Sequence, residues 1–276
     1  GIANCNTTRA AAATTFNAEL WEIGEDFVDD LNTGRVTFAL IAPTTTIQPI
    51  NGAGHNGAYD SGYTIQSASS SVSSGAFIVS CRLRVRGITL KQVGSGSMIN
   101  ISYPLAEIET CVLIDTGTAT AGAYGIKNVG FFSKVRNNLI KGFKRGFEVV
   151  AGQTQQLIAN NTVTGNDVGF YCAASGTFLG YYYNNIAVGN TTTNWAASPA
   201  GMNGAGSNCG LSGDTTWNAS PNSAITIATS DFANYAGNDF SPASSSSPQI
   251  DSGFEYYQMI SSDLADDERP NYNNGG

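Results

Sequence analysis

Short runs in which apolar and polar residues alternate recur along the middle of the chain at a nearly constant spacing. Three runs contain paired asparagines, at 137–138, 160–161 and 184–185, and glycine–phenylalanine pairs at 146–147 and 169–170 repeat at the same interval. One coil of this length cannot bury its own apolar side chains, but stacked coils can, because equivalent strands pair at about 4.8 Å. The pattern predicts an all-β chain folded as a single-stranded, right-handed parallel β-helix.

The first asparagine of each pair is the candidate for a structural ladder. Asn137, Asn160 and Asn184 are expected to lie in single file along the axis of the solenoid. An asparagine amide can form hydrogen bonds to the coils above and below, and asparagine tolerates the left-handed backbone conformation of tight turns. We therefore expect these three residues to hold successive coils together.

The repeat divides the chain into three regions. Residues 62–197 form the coils, residues 1–61 form an N-terminal cap and the approach to the coils, and residues 198–276 form C-terminal coils and a tail. Between residues 10 and 30, apolar side chains at near-helical spacing predict a short amphipathic helix or coil that covers the open end. The tail is rich in serine, glycine, asparagine and proline, and we expect it to pack on or extend from the solenoid.

Composition supports the β-rich interpretation and excludes some partners. Charged residues are only 12% of the chain, and the 32 glycines, with abundant serine, threonine and asparagine, disfavour helices. The net charge of −8 argues against nucleic acid as a main partner. No apolar run is long enough to predict membrane insertion.

Cysteine spacing predicts neither a metal nor a cofactor. The five cysteines show no CxxC or Cys/His spacing. Most are interpreted as small buried apolar residues, while a Cys5–Cys209 or similar disulfide stays open. They are Cys5, Cys81, Cys111, Cys172 and Cys209.

Three features of the sequence are distinctive: the asparagine repeats, Ser247-Pro-Gln-Ile-Asp-Ser-Gly253 with Asp263 and Arg269-Pro270, and Gly52-Ala-Gly-His-Asn-Gly57. In these features the chain resembles secreted and phage-encoded parallel β-helix proteins of the pectate-lyase-like superfamily. The last segment is similar to that of uncharacterised environmental and viral members. The resemblance implies an extracellular or virion-surface location and favours a trimer, but this fold hosts enzymes, adhesins and virion proteins alike.

Ten of the thirteen basic residues lie between Arg82 and Arg145. Arg82, Arg84 and Arg86 alternate with apolar residues, so a strand would point all three outward. Residues a few coils later could extend the same patch, which would suit an acidic glycan or an acidic protein neighbour; ordinary solubilising charge is the simpler interpretation. The predicted binding face comprises Arg82, Arg84, Arg86, Arg136, Lys141, Lys144 and Arg145, with Lys134 beside them.

No catalytic residue is predicted. A glycosidase needs two facing carboxylates, but Glu148 follows one glycine–phenylalanine landmark while Asp167 precedes the next, so their registers differ; Asp115 is a third candidate. No acidic triplet on adjacent coils suggests a calcium-dependent lyase. His55, the sole histidine, lies in a glycine-rich loop without a nucleophile elbow. Outward tyrosines among residues 181–183 could stack on a sugar.

The favoured hypothesis is a non-catalytic structural or adhesive surface protein, such as a phage capsid decoration or spike, or a secreted equivalent. The alternatives are a polysaccharide lyase or glycoside hydrolase that acts on an acidic glycan, and a carbohydrate-binding module. Expected partners are further copies of the chain, other virion or surface proteins, or a glycan.

Overall fold

The computed structural model describes most of the repeat and parts of both ends. The described residues are 16–20, 28–30, 36–39, 45–49, 63–71, 75–80, 82–102, 104–128, 131–150, 154–172, 179–196, 204–206, 209–210 and 225–248. Within these ranges no helix is long and apolar enough to cross a bilayer.

Short strands make up nearly all of the secondary structure in the described ranges, which contain one 3₁₀ helix, Thr229–Asp231. The strands are β1 (Phe16–Leu20), β2 (Val28–Asp30), β3 (Val36–Ala39), β4 (Thr45–Pro49), β5 (Thr64–Ser67), β6 (Phe77–Ser80), β7 (Leu83–Arg86), β8 (Thr89–Gln92), β9 (Ile99–Ile101), β10 (Glu107–Glu109), β11 (Val112–Asp115), β12 (Tyr124–Asn128), β13 (Lys134–Arg136), β14 (Leu139–Lys141), β15 (Arg145–Val149), β16 (Thr154–Ala159), β17 (Thr162–Thr164), β18 (Val168–Cys172), β19 (Leu179–Tyr183), β20 (Ile186–Val188), β21 (Thr193–Ala196), β22 (Gly204–Gly206), β23 (Cys209–Gly210), β24 (Ile225–Thr226), β25 (Phe232–Asn234) and β26 (Asp239–Pro242).

Strands β1–β24 form three parallel sheets along a solenoid, which confirms the predicted parallel β-helix, while β25 and β26 form a separate antiparallel pair. Sheet A has the order β1-β4-β7-β10-β13-β16-β19-β22, sheet B the order β2-β5-β8-β11-β14-β17-β20-β23-β24, and sheet C the order β3-β6-β9-β12-β15-β18-β21. From β7 to β21, five consecutive coils each give one strand to each sheet. Residues one coil apart are therefore direct neighbours.

The core is built from files of apolar side chains that point inward from each sheet. The sheet C file contains an aromatic stack in which Phe147 and Phe170 have ring centroids 5.5 Å apart and Phe170 and Trp195 4.4 Å apart. Burial of each such side chain contributes roughly 1.5–3 kcal/mol. The sheet A file comprises Val85, Ile108, Val135, Ile158 and Tyr182, and the sheet B file comprises Leu90, Leu113, Ile140, Val163 and Ala187.

One residue per coil adopts a left-handed backbone at the corner between sheets A and B. Its φ is 62° at Gly87, 49° at Thr110, 57° at Asn137 and Asn160, and 56° at Asn184. Glycine and asparagine adopt this conformation at the lowest steric cost. The three asparagines singled out from the sequence thus occupy equivalent turning positions on successive coils.

A buried chain of amide hydrogen bonds passes through the second asparagine of each pair. The Asn138 Nδ2 donates to Asn161 Oδ1 at 2.9 Å, and the Asn161 Nδ2 donates to Asn185 Oδ1 at 3.0 Å. All three side chains are at most 1% exposed. The turning asparagines also link coils, since the main-chain N–H groups of Asn137 and Asn160 donate to the carbonyls of Ala159 and Tyr183 at 3.1 and 3.0 Å. Their buried neighbours add a chain of side-chain amides to these links.

A second amide chain runs along the corner between sheets B and C. The Asn166 Nδ2 donates to Asn190 Oδ1 at 3.0 Å, and the Asn190 Nδ2 donates to Asn194 Oδ1 at 2.9 Å. Asn194 lies in the same coil as Asn190, four residues further along the chain. The main-chain N–H of Phe143 donates to Asn166 Oδ1 at the other end.

The N-terminal segment contains strands where a short helix or coil was predicted. Strand β1 pairs in parallel with β4 from Phe16–Thr45 to Leu20–Pro49, and β2 pairs with β5. The helical interpretation is wrong for these residues, because the backbone groups of β1 and β2 pair with the next coil. The rest of residues 10–30 lies outside the described residues.

The described part of the tail packs on the outer face of sheet B. Ile227 and Phe232 cluster with Val188, while Phe240 contacts a patch formed by Val112, Ile114 and Leu139. The hydroxyl groups of Tyr235 and Thr164 are 2.6 Å apart, and the Tyr235 oxygen would lie 2.0 Å from a Cβ placed on Gly189. A glycine at this position therefore permits the tail to dock.

We predict that Asn161→Ala lowers the free energy of unfolding by about 2–4 kcal/mol, because it leaves several buried polar groups without partners. Asn160→Gly, which keeps the left-handed turn and removes a less deeply buried amide, is expected to cost less than Asn161→Ala. Urea denaturation followed by circular dichroism measures both values. Equal losses in the two variants would contradict the assignment of the amide chain to the second asparagine.

Candidate functional site

The outer face of sheet A carries two columns of alternating charge across three coils. Strand pairing aligns Arg84 with Glu107 and Lys134 in one column. The second column aligns Arg86, Glu109 and Arg136. Each glutamate thus lies between two cations from the coils on either side of it.

In the first column, Glu107 binds both of its neighbours. The Arg84 Nε donates to Glu107 Oε2 at 2.6 Å, and the Lys134 Nζ lies 3.5 Å from Glu107 Oε1. Burial raises the pKa of Glu107, but the hydrogen bond from Arg84 and the charges of Arg84, Lys134 and Arg136 outweigh it, so the pKa lies below its ordinary value. Glu107 is therefore held as a carboxylate.

In the second column, Glu109 is more deeply buried. The Arg136 guanidinium donates to Glu109 Oε1 at 2.8 Å, and the Arg86 Nε lies 3.7 Å from Glu109 Oε2. Only 5% of the glutamate side chain is exposed, against 19% for Arg136 and 32% for Arg86. This carboxylate cross-links three coils from a site that is largely shielded from solvent.

A second charged cluster surrounds Glu148 on sheet C. Its carboxylate lies 2.7 Å from Arg145 and 3.3 Å from Lys127. The Arg145 guanidinium lies 3.9 Å from the centre of the Tyr171 ring, and the Lys127 ammonium 5.5 Å from that of Tyr124. Burial and the charge of Glu148 raise the pKa of Tyr124. The cluster again has one buried carboxylate between two cations.

The predicted basic residues are divided among the three sheets and do not form one face. Arg84, Arg86 and Arg136 lie on the outer face of sheet A, and the exposed Arg82 precedes β7. Each coil carries the chain around all three sheets, so residues only a few positions apart end on different sides. The other predicted residues therefore lie elsewhere: Lys141 is on sheet B, and Lys144 and Arg145 are at sheet C.

The side chain of Lys141 contacts the tail. Its ammonium donates to the Asn238 Oδ1 and lies 5.6 Å from the centre of the Phe240 ring. Burial lowers the pKa of Lys141. By contrast, Lys144 forms an ion pair with Asp167 at 2.8 Å, in which both side chains are well exposed. Hydrogen bonds from Lys144 and Thr191 lower the pKa of Asp167.

The three candidate catalytic carboxylates occupy different positions in the strand register. Glu148 pairs with Tyr171 across coils, whereas Asp167 precedes the paired residues Val168 and Arg145. Asp115 ends β11 in sheet B. The strand register therefore gives Glu148 and Asp167 different positions along sheet C.

Asp115 is buried without full hydrogen bonding. It is 8% exposed, and its Oδ1 accepts a hydrogen bond from the Gly117 N–H at 2.7 Å. Its Oδ2 has no hydrogen-bond partner among the described residues. Burial raises the pKa of Asp115 to about 6, while the Gly117 hydrogen bond acts in the opposite direction. The charge of Asp115 therefore changes close to neutral pH.

Other candidates fall inside the core or outside the described residues. Cys111 and Cys172 are buried and belong to no disulfide, and burial raises the pKa of Cys111 to about 12, so this thiol is unsuited to nucleophilic chemistry. Tyr182 points into the core, whereas Tyr181 and Tyr183 share the outer face of sheet A with ring centroids 6.5 Å apart. His55, Cys5 and Cys81 lie outside the described residues. The ranges that the structure describes contain no cluster of three or more potential metal-ligating side chains.

Sequence reasoning found the cations but missed their carboxylates. Glu107 and Glu109 follow Arg84 and Arg86 by one period of the asparagine repeat, and that offset was the available signal. The next coil is longer, since the interval from Glu107 to Lys134 exceeds the interval from Arg84 to Glu107. Because the interval differs, the period of the repeat alone does not align Lys134 with Glu107 or Arg136 with Glu109.

No family model, curated protein or solved structure matches the chain. The resemblance to the pectate-lyase-like superfamily therefore stays an expectation from the sequence.

We predict that Glu109→Gln lowers the free energy of unfolding by about 1–3 kcal/mol, since it leaves two partly buried cations without their counter-charge. Asp167→Asn, the same chemical change at an exposed pair, is expected to cost less than about 1 kcal/mol. Urea unfolding at low and high salt measures both effects. A larger loss in Asp167→Asn would contradict the importance of burial.

We predict that Asp115→Asn stabilises the protein at alkaline but not at acidic pH. The folded-state pKa of about 6 lies above the ordinary 3.8, so the wild-type protein loses stability as the pH rises from about 4 to above about 6. The variant should gain about 1–2 kcal/mol at pH 8, allowing for solvent screening, and nothing at pH 4. Thermal unfolding across this pH range measures the difference, and a gain that is independent of pH would refute the assignment.

Proposed function

We propose that this chain is a non-catalytic structural or adhesive protein whose rigid solenoid presents its outer surface to a partner. The observation that carries this proposal is the use of outward carboxylates as links between coils. Each of three carboxylates contacts two cations; they are Glu107, Glu109 and Glu148. In the two sheet A columns, strand pairing places the two cations on the coils on either side of the glutamate. Charges arranged in this way stiffen a surface.

The same arrangement argues against acid–base chemistry at these residues. A general acid that works near neutral pH needs a raised pKa, whereas the cations around Glu107 lower its pKa. Asp167 is also shifted to a lower pKa by its hydrogen bonds. Asp115 has the raised pKa, but it ends β11 of sheet B, whereas Glu148 lies in β15 of sheet C. The strand register pairs Glu148 with Lys127 and Tyr171, so it aligns Glu148 with neither of the other two candidates.

The biological setting of this proposal comes from the sequence. The resemblance to secreted and phage-encoded β-helix proteins favours a cell-surface or virion location and an oligomer. A capsid decoration or spike is the specific form that we favour. An elongated stack of cross-linked coils suits such a role, because its stiffness does not depend on a ligand.

Glycan binding is the alternative that one observation favours. Arg84 and Lys134 each keep 42% of their side chains exposed although both contact Glu107. These two cations could bind an acidic polysaccharide that lies across the coils of sheet A, either as an adhesin or as an enzyme with an unidentified catalytic group. Binding without turnover would fit the proposal, and turnover would fit the lyase or hydrolase alternative.

We predict that the full chain releases neither unsaturated nor reducing ends from polygalacturonate, alginate or hyaluronan. Affinity electrophoresis on the same polysaccharides tests for binding. An adhesive role predicts that the wild-type chain is retarded and that Arg84→Ala/Lys134→Ala weakens this binding at least about fivefold. Lys144→Ala should leave the binding unchanged. Absence of both binding and cleavage would indicate a purely structural role.

Cleavage that is abolished by Glu148→Gln or Asp115→Asn would overturn the non-catalytic proposal. Cleavage that survives in both variants but is lost in Arg84→Ala/Lys134→Ala would also overturn it and would place the active site on sheet A. Circular dichroism of every variant ensures that a lost activity is not a lost fold.

A further inference from the structure

The turn between β25 and β26 lies against the outer face of sheet B and contacts one lysine there. The Lys141 Nζ donates to the Oδ1 of Asn238, and the two residues are 97 positions apart in the chain. The Cγ of Asn238 lies one C=O bond, about 1.2 Å, beyond the accepting oxygen. An amine and an amide carbon are therefore within reach of each other where the tail meets the solenoid.

Two glycines clear the space in which this contact forms. A Cβ on Gly165 would lie 3.1 Å from the Lys141 Cε and 3.3 Å from its Cγ, so the lysine side chain extends across the next coil. Gly189 is the equivalent residue one coil further, because β17 pairs with β20, and there the Tyr235 hydroxyl fills the space that a Cβ would need. Lys141 and Tyr235 consequently lie over neighbouring glycines of one file.

The backbone holds Asn238 in place opposite the lysine. Its main-chain N–H donates to the Tyr235 carbonyl at 3.2 Å, and its φ of 65° is a left-handed conformation that asparagine adopts at low cost. The Thr164 hydroxyl donates to the Val188 carbonyl at 2.7 Å, so the Tyr235 hydroxyl is the donor in its 2.6 Å contact with Thr164. The turn is thus fixed to sheet B, which pre-organises the amide for reaction with Lys141.

The surroundings favour the neutral, nucleophilic form of the lysine. The Phe240 ring centre lies 5.6 Å from the Lys141 Nζ, and this ring packs on the outward side chains of Val112, Ile114 and Leu139. Burial lowers the pKa of Lys141 below its ordinary value, although an aromatic ring by itself attracts the charged form. Desolvation is one way in which proteins activate a lysine amine as a nucleophile.

We propose that Lys141 and Asn238 form an intramolecular isopeptide bond. The Lys141 Nζ attacks the Asn238 Cγ, the bond from Cγ to Nδ2 breaks, and Nδ2 takes a proton from Nζ and leaves as ammonia. The reaction needs no oxidant and no further reactant. A carboxylate at position 238 would give an ion pair like those of sheet A, whereas the amide carries a leaving group that the amine can displace.

The bond closes a long loop of the chain. Strands β15 to β25 lie between the two residues, and β24 is the last strand in the order of sheet B. A cross-link across a long loop stabilises a fold mainly by restricting the unfolded chain. Because each coil of a solenoid contacts only its neighbours, this bond also ties the last coils to β14 directly.

The intact mass of the full chain tests the proposal. Mass spectrometry of the purified, denatured protein should give a value about 17 Da below the sequence mass, which is the mass of the ammonia released. Tryptic digestion should yield one branched peptide that joins residue 141 to residue 238, because trypsin does not cleave after an acylated lysine. A chain that is folded by circular dichroism but has the full sequence mass would overturn the proposal.

Lys141→Arg and Lys144→Arg form a matched pair of variants. Arginine keeps the positive charge and can still donate to Asn238, but its guanidinium stays protonated and does not attack an amide. Lys141→Arg should therefore abolish the mass deficit and lower the melting temperature by at least about 5 °C. Lys144→Arg, at the exposed ion pair with Asp167, should leave both unchanged. Asn238→Ala should also abolish the deficit.

The variants separate the cross-link from other sources of the same mass change. A deficit that persists in Lys141→Arg would indicate an asparagine that has cyclised onto its own backbone, and it would overturn the proposal. A deficit that Lys144→Arg abolishes would overturn it as well. The cross-link does not depend on what the outer surface binds, so the mass measurement and the polysaccharide assays can fail independently.

Discussion

Parallel hydrogen bonding between equivalent strands of successive coils is the interaction on which the rest of this structure depends. It brings side chains one period apart into direct contact, so that each position in the coil becomes a file along the axis. The stack of Phe147, Phe170 and Trp195 is one such file, and the amide chain through Asn161 is another. A favourable contact is repeated along the file, and an unfavourable one would be repeated as well.

This repetition constrains the outer charges in the same way as the core. Arg84 and Arg86 lie on one strand, and their charges are balanced by Glu107 and Glu109 in the next coil rather than within their own. Both carboxylates are consequently shielded between cations, and these cations hold the pKa of Glu107 below its ordinary value. Asp115, which lacks such a pair, is the exception among the described carboxylates singled out for catalysis.

The corners of the coil show how one geometry serves two purposes. Between sheets A and B the left-handed position is filled mainly by asparagine and glycine, which adopt it at low cost, and the adjacent asparagine is buried. Between sheets C and A the same conformation holds Leu105 and Phe132 outward. The first corner links the coils, whereas the second presents apolar side chains to solvent.

The sequence by itself determined the period, the parallel solenoid and the turning asparagines, because these follow from spacing that recurs within single coils. Only the tertiary structure decided which side of the solenoid each basic residue occupies, since the longer coil between Glu107 and Lys134 shifts the register. It also decided that residues 16–20 form a strand, because their apolar spacing suits either element until β4 provides a pairing partner. Contacts between coils are set by register, and register depends on the length of every coil in between.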